Sequence, residues 1–276
     1  QEDFVGRCSG IFDAQVFPGG PCPPQSSSRL NSWVSDHTAG MIPQIIQRPF
    51  GEDAAALMVN ALYLKNTWAT KFDPSDTVTR DFTRADGTAE PLDFLQHFSR
   101  SLTYLQSGSD EGVLLPYDDG RLAFFALMPR QSSGVPDFER WLSSLTGEGL
   151  SALLSGREET FFLRLSLPKF EQEWSGELKD ALAALGLTDA FDPALADFSL
   201  LGDDPRGYYL SQVIHAARIE VNEEGTEAAA ATVVAAASGA APPQEGVTLI
   251  FDRPFLYGIV DLQNGVPLFL GTFEGL

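Results

Sequence analysis

The chain has 276 residues, of which 43% are hydrophobic and 20% charged. This composition excludes a disordered or collagen-like chain and suffices for a sizeable buried core. Lys and Arg total 18 against 38 Asp and Glu, which leaves a net charge of −20. A surface of this sign repels phosphate backbones and anionic lipid heads, and no apolar run approaches the roughly 20 residues that span a bilayer. Neither nucleic acid nor a membrane is therefore expected as a partner.

The N-terminus carries neither an initiator Met nor the basic and apolar pattern of a signal peptide, so localisation does not follow from the residues. Cys8 and Cys22 are the only cysteines. They have no histidine close by, which argues against a zinc site, and neither a metal nor a cofactor is predicted. Free thiols are favoured over a disulfide between them, but both states stay open.

Turn-forming residues fill positions 18 to 28, which predicts an irregular segment before a helix that begins at Ser28 and ends near Gly40. Ala54–Lys65 is a nearly continuous apolar run and predicts a central strand buried on both faces. Further strand patterns follow at Leu102–Leu105, Gly112–Pro116, Leu122–Met128, Phe161–Leu167, Tyr208–Val221, Val247–Phe251, Phe255–Val260 and Pro267–Phe273.

Helical spacing of apolar residues is clear at Phe138–Leu154 and at Gly176–Leu185, the latter followed by Gly186. Many strands with a few segregated helices indicate an α+β fold and not a doubly wound parallel sheet. The sequence has no internal repeat and no second domain boundary. A single domain over residues 1–276 is therefore predicted.

The most unusual composition lies between Glu227 and Gly246, where nine alanines and two prolines follow an acidic cluster. An Ala-rich helix and a low-complexity linker are both compatible with this composition. Strand patterns on both sides and Pro242-Pro243 favour a long exposed connection instead. Loops of this length in a compact domain are usually functional or disordered. Small side chains suit a segment that must slide between two existing strands, because a packed interior resists added bulk.

The sequence from Glu223 to Thr232, EEGTEAAAAT, resembles the hinge of an inhibitory serpin almost residue for residue. Other motifs of that family occur in the same order: Asn31–Val34, Asn60–Trp68, Leu115–Tyr117, Leu167–Phe170, Leu185–Phe191, Ala196–Ser199, Val213–His215, Asp252–Leu256 and Leu268–Gly271. Each is weak alone, but together they are collinear over nearly the whole chain. The chain is identified by this resemblance as an inhibitory, bacterial-like serpin.

The resemblance implies a large mixed β-sheet A, smaller sheets B and C, and peripheral helices. It also implies a suicide substrate for a serine protease: the protease cleaves a reactive loop, here about residues 223–246, and the cut loop inserts into the main sheet. The hinge residues are Glu223, Glu224, Gly225, Thr226, Glu227, Ala228, Ala229, Ala230 and Ala231. Counting from Gly225 places the reactive bond between Gly239 and Ala240, with Ala237–Ser238 and Val234–Ala235 as alternatives.

Four further residues transfer from the family by position. Asn60 and His215 resemble the buried pair at the shutter, where the sheet opens, and a satisfied core histidine is a compatible interpretation. Trp68 resembles the aromatic residue at the breach, where the loop first enters. Lys169, also at the breach, and Glu223 resemble a pair that anchors the base of the hinge.

The sequence and the family resemblance also give expectations about the target protease and about how much of the protein this chain represents. Glu220 to Asp252 contains no Lys or Arg, which disfavours a trypsin-like target and favours an elastase- or subtilisin-like protease with a small apolar pocket. Serpins are usually longer at the N-terminus, so the chain is expected to lack the N-terminal helices, as a truncation or a fragment. By resemblance, the complete protein would be a monomer and extracellular or periplasmic.

Two other classes of function are alternatives to protease inhibition. A non-inhibitory serpin that acts as a carrier, chaperone or storage protein, or an inactive fragment, is the first alternative. An enzyme is the second, but the sequence has three histidines, no G-x-S-x-G elbow and no phosphate loop or metal motif. Catalysis is therefore not predicted.

Overall fold

The structure is a computed structural model and describes residues 2–17, 25–47, 56–99, 102–130, 137–156, 162–201, 207–226 and 246–276. Residue contacts divide the chain into two compact units. The first unit comprises Gln1–Tyr63 and Gln172–Ile219, and the second comprises Leu64–Glu171 and Glu220–Leu276. The single domain over residues 1–276 stays a prediction.

The described residues form five α-helices and fourteen strands. The helices are α1 (Glu2–Phe12), α2 (Gln25–His37), α3 (Phe138–Ser144), α4 (Gly147–Ser155) and α5 (Lys179–Ala184), with 3-10 turns at Pro74–Asp76, Asp189–Phe191 and Ser199–Leu201. The strands are β1 (Ala56–Tyr63), β2 (Asn66–Thr67), β3 (Val78–Thr83), β4 (Ala89–Ser99), β5 (Thr103–Ser107), β6 (Asp110–Pro116), β7 (Leu122–Pro129), β8 (Phe162–Pro168), β9 (Phe170–Glu177), β10 (Leu210–Val221), β11 (Gly225–Thr226), β12 (Gly246–Ile250), β13 (Phe255–Asp261) and β14 (Val266–Phe273).

In the first unit, β1 and β10 are parallel neighbours, with Ala56 opposite Leu210 at one end and Tyr63 opposite Arg218 at the other. β9 pairs with the other edge of β10. One face of β1 packs against α2 and the residues that follow it, where Val34, Ile42, Ile45 and Ile46 are buried. Strand side chains alternate between the two faces of a sheet, so every second residue of β1 points toward α2. Burial of these apolar side chains stabilises the parallel pair.

In the second unit, an antiparallel sheet has the order β14-β13-β7-β6-β5, and a second sheet has the order β12-β8-β4-β3 with β12 parallel to β8. Every residue of β13 is buried, as expected for a central strand. α3 and α4 add Phe138, Trp141, Leu153 and Leu154 to a core against the antiparallel sheet. The indole Nε1 of Trp141 donates a 2.7 Å hydrogen bond to buried Asp110.

The strands recognised in the sequence are present, each displaced at its ends by three residues or fewer. The strand predicted at Ala54–Lys65 differs in burial: β1 pairs only with β10 among the described residues, and Met58 on its second face is 52% exposed. A central strand buried on both faces is therefore not observed in this part of the chain. The helix α1 and the strands β3, β4 and β9 were not predicted from the sequence.

Three predicted boundaries are wrong. The helix predicted over Phe138–Leu154 is two helices, because Leu145 has an extended backbone and the Thr146 hydroxyl accepts a 3.0 Å hydrogen bond from the Gly149 amide, which caps α4. The helix predicted over Gly176–Leu185 is shortened to α5 because β9 continues to Glu177. Residues 25 to 28, predicted to be irregular, belong to α2.

Candidate functional site

The candidate site lies in the second unit, where the chain reverses direction after β10. Val221 pairs with Thr226 in antiparallel fashion. Between them, the Asn222 side-chain oxygen accepts hydrogen bonds from the amides of Glu224 and Gly225 at 3.0 and 3.3 Å. The Asn222 amide donates to the Gly225 carbonyl at 3.1 Å. An Asn side chain that bonds to the backbone two residues later is a common way to close a tight turn, and the predicted hinge therefore begins in an ordered hairpin.

The short strand β11 lies between two partners. It pairs with Val221 of β10 on one side and with β2 on the other, where Gly225 is opposite Thr67 and Thr226 is opposite Asn66. A Cβ atom added to Gly225 would lie 2.1 Å from the Asn66 carbonyl oxygen. Only a glycine permits the backbones to approach this closely.

Trp68 holds the hairpin through both its backbone and its ring. Its amide donates to the Glu224 carbonyl at 3.0 Å, and its indole Nε1 donates to the Asn222 carbonyl at 2.8 Å. The ring is 2% exposed and stacks on Tyr117 at 4.9 Å between centroids. The Phe72 amide adds a third bond, to the Glu223 carbonyl at 3.0 Å. The indole thus both packs in the core and satisfies a turn carbonyl.

Lys169 and Glu223, predicted from the resemblance to be a pair, lie 2.9 Å apart between Nζ and Oε1. The Thr77 hydroxyl donates to the same carboxylate oxygen at 2.8 Å. Burial raises the pKa of Glu223, but the hydrogen bonds from Lys169 and Thr77 outweigh it, so the pKa lies below its ordinary value. The carboxylate is therefore ionised near neutral pH. A second ion pair joins Lys71 to Glu224.

Thr226 belongs to the predicted hinge, near the start of the predicted reactive loop, and it is 1% exposed. Its hydroxyl is hydrogen-bonded to the phenol of Tyr117, which is also buried. Burial raises the pKa of Tyr117, so the phenol stays protonated across the physiological range. A bulkier or charged side chain at position 226 would have to displace this contact.

Four residues of the hinge base were not predicted from the sequence to have a site role: Asn222, Tyr117, Thr77 and Lys71. Asn222 is recoverable from the sequence, because Asn followed three residues later by Gly is a turn signal. The other three are brought to the hairpin by β6, by a 3-10 turn and by the segment after Trp68. No local pattern identifies such contacts.

The predicted shutter pair lies in the first unit. Asn60 and His215 are opposite each other in β1 and β10, with Oδ1 and Nδ1 3.0 Å apart. Burial lowers the pKa of His215, and a hydrogen bond with the Asn60 backbone partly opposes that shift. The pair is not buried as expected: Asn60 is exposed and His215 is half-buried. The reason is that the face opposite α2 is the open face of β1 in the described part of the chain.

Several predicted positions lie outside the described residues. They are Glu227, Ala228, Ala229, Ala230, Ala231, Gly239, Ala240 and Cys22. Cys8 forms no disulfide within the described chain. No cluster of metal-ligating side chains is found among the described residues, and no helix there is long and apolar enough to cross a bilayer.

The architecture is that of a mixed α+β protein with three sheets, in which a small-residue segment follows an anchored hairpin. A family model described as "Serpin (serine protease inhibitor)" matches residues 1–275. The chain therefore belongs to the serpin family. This family is one of protease inhibitors and not of enzymes.

Comparisons with individual proteins agree with this assignment. The chain is 32% identical to "Serpin B10" from Otolemur garnettii, with 90% of the chain and 62% of the relative covered. It is 35% identical to "Plasminogen activator inhibitor 1" from Neovison vison, with 88% and 60% covered. The crystal structure of Tengpin, a thermophilic serpin in the native state, superposes with a TM-score of 0.89 at 29% identity, covering all of this chain and 69% of Tengpin. The chain thus spans about three-fifths of the length of these curated relatives.

Proposed function

We propose that this chain belongs to a serine protease inhibitor that acts as a suicide substrate, with cleavage between Gly239 and Ala240 followed by insertion of the hinge side into the sheet of β1 and β10. The observation that carries the proposal is the position of β11. It already runs antiparallel to β10 and is flanked by β10 and β2. A strand that extended β11 would continue along β10.

The β1–β10 pair offers a suitable place for such a strand. The two strands are parallel neighbours over eight paired positions. A strand inserted between them would be antiparallel to both. The one set of backbone hydrogen bonds between β1 and β10 would then be replaced by two sets, one on each side of the new strand. Antiparallel pairs are at least as stable as parallel ones, so the exchange favours insertion once the loop is cut.

The proposed target is a serine protease with a small apolar specificity pocket. No Lys or Arg lies between Glu220 and Asp252, and the predicted reactive bond joins Gly to Ala. An acidic pocket that requires a cation gains nothing from such a segment. Elastase- and subtilisin-like proteases are the expected partners, and the complete protein is proposed to be monomeric.

The test is incubation of the protein with a panel of serine proteases, followed by electrophoresis in SDS. An SDS-stable complex with an elastase- or subtilisin-like protease is expected, and none with a trypsin-like protease. The matched variants are Thr226→Ser, which keeps the hydroxyl near Tyr117, and Thr226→Arg, which puts a charge into a buried position. Thr226→Ser is expected to form the complex, whereas Thr226→Arg is expected to be cleaved without trapping the protease.

Cleavage of the wild-type chain by every protease without a stable complex would contradict the proposal. That outcome would favour the carrier, chaperone or storage alternative, or an inactive fragment.

We infer an extracellular or periplasmic location from the family resemblance alone. Members of the family occur both outside and inside cells. Cell fractionation with detection of the native protein would decide between the two.

A further inference from the structure

An exposed aromatic and cationic patch lies on the sheet β12-β8-β4-β3 of the second unit. It consists of the exposed Phe98 on β4 and, on β8, the half-buried Phe162 and the exposed Arg164, and we call it the Phe98 patch. The rings of Phe98 and Phe162 are 4.1 Å apart between centroids. The guanidinium carbon of Arg164 lies 4.9 Å from the Phe98 ring centroid, a cation–π contact. Pairing of Phe98 with Arg164 across the two strands fixes this arrangement.

The exposure of Phe98 is unusual for its strand. Phe98 is 53% exposed, whereas Phe94, four residues earlier on the same face of β4, is fully buried. Exposed aromatic residues next to Arg are characteristic of the central part of protein–protein interfaces, where these residue types provide most of the binding energy. The patch therefore has the composition of a docking surface.

The patch lies beside the point where the predicted reactive loop rejoins the described chain. Gly246, the first residue of β12, is paired directly with Phe162, and Thr248 is paired with Arg164. Five residues, 241 to 245, separate Gly246 from the predicted reactive-bond residue Ala240. At about 3.3 to 3.6 Å per residue, they span at most about 20 Å in any conformation. A protease that grips the reactive bond is therefore held within reach of Phe162.

The charge of the patch defines the surface that would fit it. The protein carries a net charge of −20, so a cation beside an exposed ring stands out from an acidic background. Among the described residues, Arg164 takes part in none of the ion pairs. Its guanidinium is thus available for a carboxylate on a partner.

We propose that the Phe98 patch is a second contact site for the target protease, which docks there through a carboxylate and an adjacent apolar surface beside its own active-site cleft. This proposal rests on the proposed protease inhibition. The patch would increase the rate and strength of the first encounter, before the loop is cut. It would add selectivity that the small side chains around Gly239 do not provide.

The test measures docking without cleavage, using the full chain and elastase-type and subtilisin-type proteases in which the nucleophilic serine is replaced by alanine. Arg164→Glu is expected to raise the Kd about tenfold and to weaken its dependence on salt. Phe98→Ala is expected to raise it about fivefold. Arg80→Glu is the matched control, because Arg80 is exposed on β3 of the same sheet and pairs at Leu92, six residues or about 20 Å along β4 from Phe98. The control is expected to bind within twofold of the wild type.

Equal affinity of the wild type, Arg164→Glu and Phe98→Ala would overturn the proposal, as would a failure of the wild-type chain to dock with either inactive protease. If the Phe98→Ala variant does not fold, the Arg164→Glu variant alone tests the proposal, because the Arg164 side chain is exposed and its replacement does not disturb the core. Docking that depends on Arg164, combined with cleavage by the active protease but no SDS-stable complex, would support the patch and reject the inhibitory mechanism. The two proposals thus fail separately.

Discussion

Glu223 is the residue on which several contacts of the hinge base converge. Its backbone carbonyl accepts from Phe72, and one carboxylate oxygen accepts from both Thr77 and Lys169. The Lys169 side chain is 35% exposed, whereas the Glu223 side chain is 13% exposed. The pair therefore stands between a surface ion pair, which contributes little, and a buried one, whose loss is costly.

A double-mutant cycle measures the contribution of the pair. Glu223→Gln, Lys169→Met and the double variant are expected to show a coupling free energy of about 1 kcal/mol in denaturant unfolding at neutral pH. The folded-state pKa of Glu223 is lowered from 4.5. Its contribution is therefore complete above about pH 4.5 and is lost as the pH falls through the lowered pKa.

The same cycle repeated at acidic pH provides the control. The coupling energy is expected to shrink as the pH falls below about 4.5, the ordinary pKa of the carboxyl group. A coupling energy that stays constant with pH, or that is zero at neutral pH, would show that the pair does not hold the hinge base.

The strand β11 is short, yet it joins two other strands at one place. Its two residues connect the end of β10 to β2, and the backbone of Gly225 lies against that of Asn66 and Thr67. Because β2 follows β1 after two residues of chain, β11 marks the position from which the proposed insertion would begin. Glycine is thus needed at position 225 because the paired strands approach closely there, and not because the backbone has a positive φ.

Gly225→Ala is expected to destabilise the protein by about 1 to 3 kcal/mol, because the added methyl group would overlap the Asn66 carbonyl and force β11 away from β2. Unfolding in urea measures this change. The matched control is Gly108→Ala, where the new Cβ has no heavy atom within 4 Å and φ is not positive. The control is expected to change the stability by less than about 0.5 kcal/mol. Equal stability of the two variants would contradict the close packing described for β11.

In the proposed mechanism, the β1–β10 pair is the part of the protein that changes after cleavage of the loop. The strands predicted at Ala54–Lys65 and Tyr208–Val221 correspond to β1 and β10, which are direct neighbours in one sheet. In the uncut chain the two strands bond to each other, so insertion requires that ladder to open. The proposed mechanism therefore predicts that the cut chain has a more stable form than the uncut one.

Cleavage in the loop is expected to raise the Tm by about 10 °C or more, because a gain of several kcal/mol shifts the Tm of a chain of this size by about 2 to 4 °C per kcal/mol. Differential scanning calorimetry before and after limited proteolysis measures the shift. Thr226→Arg, cleaved in the same way, provides the comparison and is expected to gain much less. An unchanged Tm in the cleaved wild type would point to the carrier alternative.

The fold class, most strands and the family could be predicted from the sequence, because they follow from local periodicity and from motifs with a fixed order. The sequence also brought Lys169 and Glu223 together as a pair, through the resemblance. The same reasoning could not find Tyr117 at Thr226 or Thr77 at Glu223, since such contacts join segments 109 and 146 residues apart.

Burial and the course of the chain at the hinge depend on contacts between residues that are distant in the sequence. The apolar run of β1 predicts a strand, but whether Asn60 is covered depends on what packs against its face. Helix periodicity continues through Leu145, yet the capping hydroxyl of Thr146 divides the helix. The hairpin at Asn222 exists because Trp68 and β2 satisfy its backbone groups. Local sequence sets which conformations are accessible, whereas long-range hydrogen bonds and packing select one of them.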